Sequence, residues 1–156
     1  MKQKMDSLCA ILQESLELYE NFIKVEYEKY DAVIKDDIKK LDETISKEQV
    51  FYLKVKGLEQ KREQLIESMG MKDKTLKEII SMSNQEDSSR LMPLYDKLLK
   101  SLTDFKKINL ECKTIIEVRL HRIDAAMNKL GEKDSSYPQQ ESQKNNLKSN
   151  IVSKKI

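Results

Sequence analysis

The sequence is short of residues that break or bend a chain. Among 156 residues it has three Gly, two Pro and no Trp. Sheet folds need frequent Gly and Pro turns, so this composition argues against a β-sandwich, a Rossmann domain or any sheet-based enzyme. There is one His, and the two Cys, Cys9 and Cys112, form no CxxC pair. A metal site of the usual His/Cys spacings therefore has no ligand set. Two lone cysteines in a Lys/Glu-rich chain fit a reducing, cytoplasmic setting. No apolar run approaches the roughly 18 residues of a spanning helix, so nothing inserts in a membrane. The start, Met1-Lys2-Gln3-Lys4-Met5-Asp6, lacks the apolar stretch of a signal peptide. A Gly-rich phosphate loop, a G-x-S-x-G turn and an EF-hand loop are missing too. The chain reads as a protein without catalysis and without a cofactor.

Charge of one sign is also scarce. The 29 basic and 27 acidic residues leave +2. Residues 131–156 hold that excess, so the rest of the chain is neutral. Nucleic acid is therefore not expected as a partner.

What the chain does have is Lys, Glu and Leu at helical spacing. Leu8, Leu12, Leu16, Tyr19, Ile23, Tyr27, Tyr30 and Ile34 draw one stripe over a first helix from about Asp6 to Ile34. Lys35-Asp36-Asp37 interrupts it, and Asp36 or Asp37 can cap the next helix. The second stripe is Ile38, Leu41, Ile45, Glu48, Tyr52, Val55, Leu58, Arg62, Leu65 and Met69. Glu48 and Arg62 read as snorkelling side chains at a half-open seam. Gly70 suits a left-handed closing position. Thr75-Leu76-Lys77-Glu78 is a capping box before a short helix, and Ser83 to Ser89 reads as a polar loop. Pro93 fits only a first turn, which sets the start of the last helix near Ser88 or Ser89. Its stripe runs from Leu91 through Leu98, Phe105, Ile108 and Cys112 to Ile116, Leu120, Ile123, Met127 and Leu130. His121 falls off it and reads as solvated. Gly131 ends the helix, and the Gln, Ser, Lys and Asn that follow read as a disordered tail.

The expected fold is all-α: three long antiparallel coiled-coil-like helices with a short crossover helix. The helical domain covers 1–130 and the tail 131–156. The last helix, about 42 residues against about 29 and about 33, outruns its partners by about 15–20 Å at its C-terminal end. That end carries Ile116, Leu120, Ile123, Met127 and Leu130. The stripe is a binding surface, ordinary core, or a face covered by a second copy in a free homodimer. A structural coiled-coil scaffold without a client is the competing reading.

The order of motifs points further. Val33-Ile34-Lys35-Asp36-Asp37-Ile38-Lys39-Lys40-Leu41 is followed by Ile45-Ser46-Lys47-Glu48-Gln49 and Leu58-Glu59-Gln60-Lys61-Arg62-Glu63. Then come Lys74-Thr75-Leu76-Lys77-Glu78-Ile79-Ile80, Ile108-Asn109, Ile115-Ile116 and the late Tyr137. This series resembles the FlgN family of flagellar export chaperones over essentially the whole chain. It departs at Cys112, where the family often has a second Asn, and in lacking a Gly soon after Tyr137. The resemblance implies a cytoplasmic chaperone for the hook-associated proteins FlgK and FlgL. Such a chaperone keeps its clients unassembled and delivers them to the type III export gate, whose membrane component is FlhA. It also implies client binding by the C-terminal part, carried onto Ile116, Leu120, Ile123, Met127 and Leu130, and gate docking by Tyr137.

Overall fold

The computed structural model describes residues 1–131. Four helices follow in order: α1 (Lys2–Ile34), α2 (Ile38–Ser68), α3 (Leu76–Met82) and α4 (Gln85–Lys129). No strand occurs among the described residues. The tail expected over 131–156 falls, from residue 132 on, outside them.

Local chemistry sets each boundary. Asp36 takes a left-handed conformation at φ 53°. Asp37 then caps α2, its carboxylate accepting from the Lys40 N–H at 3.0 Å. At the far end Gly70 is left-handed at φ 75°. The Met71 N–H reaches back to the Ile66 carbonyl and the Gly70 N–H to that of Glu67, the paired closure that stops a helix. Thr75 and Glu78 cap α3 reciprocally, as the sequence predicts.

The start of α4 differs from expectation. Asn84 caps it, accepting from the Asp87 N–H at 2.8 Å, so most of the expected polar loop is the first turn of a helix. Pro93 consequently lies in the third turn, not the first. There its missing N–H leaves the Ser89 carbonyl without its usual helical donor. The capping side chain outweighs the proline as a start signal.

α1 is the central element, packed along both α2 and α4, while α3 packs on α4. α2 runs antiparallel to α1. α4 runs parallel to α1, with Arg90 paired to Asp6 at one end and Arg119 reaching the Ile34 carbonyl at the other. Mid-bundle, the Phe22 ring stacks on Phe51 at 5.0 Å, meets Tyr52 edge-on at 5.0 Å and Phe105 at 4.5 Å. Leu76, Ile79 and Ile80 of α3 close the end where α1 begins.

Two expected stripes are corrected. In α1 the buried line leaves Tyr19 through Phe22, Glu26, Lys29 and Val33, while Tyr27 and Ile34 are exposed. The expected stripe advances by 4, 4, 3, 4, 4, 3 and 4, a mean step longer than one helical turn, so on a straight helix it has swung about 80° by Ile34, whereas the buried line keeps the three-four alternation. In α2, Thr44 and Ile66 are buried, whereas Ile45 is exposed and Leu65 only half-buried. Glu48 and Arg62 do not snorkel. Both are buried, because each has an opposite charge at hand: Lys29 for Glu48 and Glu59 for Arg62.

Candidate functional site

The site is built by register. Arg90 lies level with Asp6, Phe105 with Tyr19 and Phe22, Cys112 with Glu26, and Arg119 with Ile34. α1 ends at Ile34 and the turn follows at once, so α4 passes the hairpin tip near Arg119. There the Arg119 guanidinium donates to the Ile34 carbonyl at 3.2 Å and lies 3.7 Å from the Asp36 carboxylate. α4 continues to Lys129. At 1.5 Å per residue, that extension is roughly 15 Å of helix beyond its neighbours.

The extension is apolar on the side that faced α1. From Ile116 the steps to Leu120, Ile123, Met127 and Leu130 are four, three, four and three, which keeps all five on one side. Ile116 and Leu120, beside the tip, are half-buried. Beyond it Ile123 is 52% exposed, Met127 38% and Leu130 78%. Ile38, on the first turn of α2 at the same tip, is 80% exposed, and Ile34 is exposed too. His121 is exposed on α4. Tyr137 lies outside the described residues.

One level below, the bundle holds a charged layer that the stripe reading missed. The Lys29 ammonium lies 3.0 and 3.2 Å from the two Glu48 carboxylate oxygens. Glu26, one turn before Lys29, is 0% exposed. The Cys112 thiol of α4 donates to the Glu26 backbone carbonyl at 3.2 Å. Burial, reinforced by Glu48, pushes the Glu26 carboxyl up to about 9. Burial works against the Lys29 ammonium, yet Glu48 and Glu26 overcome it and hold its value above the ordinary one. Burial and then Glu26 push the Cys112 thiol up to about 12, so this cysteine is an inert small core residue, as expected, and no ready nucleophile. Cys9 is only half-buried. A signal for the layer did exist: alternating steps of three and four from Met5 pass through Leu8, Leu12, Ser15, Tyr19 and Phe22 and land on Glu26 and Lys29.

Among the described residues no cluster of three His, Cys, Asp or Glu side chains could hold a metal ion. No helix among them is long and apolar enough to cross a membrane. What the geometry offers is a projecting apolar face, suited to contact rather than to reaction. A family model described as FlgN protein matches residues 1–144. No curated protein and no solved structure matches significantly.

Proposed function

Since the chain belongs to the FlgN family of flagellar export chaperones for FlgK and FlgL, we propose that the extension of α4 is where it holds these clients. The family acts by binding and is not enzymatic. One observation carries the reading: α4 outruns both partners and stays apolar on its inner side. Ile116, Leu120, Ile123, Met127 and Leu130 form the contact. A client segment that is amphipathic lays its apolar face along them, as a helix in an open groove. Residues 1–130 act as the rigid holder, and residues 131–156 order over the client. Burying about 600 Å² of apolar surface on each side is worth on the order of tens of kcal/mol gross. Ordering the client and the tail offsets most of it, which leaves a complex that can still be released.

The complex waits in the cytoplasm and is handed to the export gate. Titration calorimetry of the full chain with purified FlgK or FlgL tests the holding step. Heterocomplex formation with a negative heat-capacity change is expected, because apolar surface is buried. Light scattering on the chain alone tests the other occupant of the stripe. Dimerisation of the free chain that client addition reverses fits a stripe shared between a resting homodimer and the client. A stable dimer with no heat on adding FlgK or FlgL would instead favour a structural scaffold.

Tyr137 is proposed as the contact with FlhA, separate from client capture. Tyr137→Ala is expected to leave client affinity unchanged while lowering the amount of FlgK and FlgL secreted by flagellated cells. Weakened client binding by this variant would contradict the division of labour.

A further inference from the structure

The charged layer carries two carboxyl groups and one ammonium in a dry setting. Lys29 faces it from α1, Glu48 and the Tyr52 hydroxyl from α2, and the Cys112 thiol from α4. Lys29 is engaged by both oxygens of Glu48. The Cys112 thiol is committed to a backbone carbonyl. Tyr52 hydrogen-bonds with Asn109 of α4. As a carboxylate, Glu26 would then have no donor for either oxygen, although the residue is fully buried. An unpaired buried carboxylate is costly enough that such a group takes up a proton instead. As an acid, Glu26 gains an O–H to donate, and the neighbouring Glu48 carboxylate is an acceptor for it.

We propose that the folded bundle binds one proton in this layer, held by Glu26 against Glu48, and that this proton makes the fold tighter in acid than in alkaline solution. It neutralises the layer: one ammonium, one carboxylate and one neutral acid. The device sits beside Cys112, one turn before Ile116, where α4 begins to leave its neighbours.

The direction follows from linkage. The Glu26 carboxyl rises from an ordinary 4.5 in the unfolded chain to about 9 in the folded one. Between those values the native state holds a proton that the unfolded state lacks, so stability declines as pH rises. The contribution is complete below the unfolded value and is lost as pH rises through the folded one.

Urea denaturation of the full chain between pH 6 and 7.5 tests this. That range stays below the pH at which the cysteine thiols ionise appreciably. The folding constant is expected to fall about tenfold per pH unit, the slope of one linked proton. Glu26→Gln, neutral at every pH and similar in shape, should remove that slope. A slope that survives in Glu26→Gln, or a flat profile in the native sequence, would overturn the proposal. A measurement on the native sequence alone guards against a variant that fails to fold. Calorimetric unfolding at pH 7 in two buffers of different ionisation heat counts the protons exchanged. Release of about one proton on unfolding supports the layer, and no release overturns it.

Discussion

Ile123→Asp and Met127→Asp are each expected to weaken FlgK and FlgL binding by at least about 100-fold, enough to empty a pull-down. Both side chains are exposed, so neither change removes core packing, and circular dichroism should remain that of the native helix bundle. The loss arises in the complex. An aspartate at either position must surrender its hydration against an apolar client face with no partner supplied. Desolvating such a charge, together with the lost apolar contact, readily exceeds about 3 kcal/mol at a central position of an interface. An exposed change on another side of the bundle, such as Leu53→Asp, controls for general effects, since Leu53 is exposed on α2. Unchanged affinity in Ile123→Asp and Met127→Asp would remove the α4 extension as the holding site and leave the family's function to another surface.

Lys29→Met is expected to lower stability by about 3–5 kcal/mol at pH 7, with the same helical spectrum at low denaturant. Lys29 and Glu48 are almost wholly withdrawn from water. Removing the ammonium strands the Glu48 carboxylate beside the already protonated Glu26, and Glu48 must then take up a proton at the expense of the fold. Lys29→Met with Glu48→Met together should recover much of the loss, because the second change removes a group that the first left unpaired. Urea midpoints of the two singles and the double close a mutant cycle. A loss below about 1 kcal/mol for Lys29→Met alone is the value typical of an exposed pair, and would mean that water reaches the layer.

Much of this fold was legible because its signals are local. Asp37, Gly70, Thr75 with Glu78, and the turn near Asp36 each carry their own hydrogen-bond reason, and the structure uses them as read. Pro93 misled because a proline speaks only for its own φ and N–H, while Asn84 nine residues earlier had an equally local reason to start the helix. The rotation of α1 was harder. Ile23, Tyr27, Tyr30 and Ile34 continue an apolar stripe of mostly four-residue steps, but α1 packs against its two neighbours along the three-four alternation of Met5, Leu8, Leu12, Ser15, Tyr19 and Phe22, which turns Glu26 and Lys29 inward. Whether Glu48 is buried depends on what α1 places opposite it, and that partner lies nineteen positions away in sequence. The five stripe residues on α4 were readable as one side of a helix, but their progression from half-buried to open depends on the register between α1 and α4. Nothing in α4 itself encodes that register; Asp6, Phe22 and Ile34 of α1 set it from a distance.

The unbroken run of α4 also settles how its last ten residues hold their shape. A peptide of that length in water has little tendency to coil, because starting a helix fixes several dihedrals for a single bond. Here the start is made many turns earlier, inside the clamp formed with α1, and only cheap propagation is needed beyond Arg119. If clients dock on this strip as proposed, it is set in form before anything touches it, and an arriving subunit is spared its ordering.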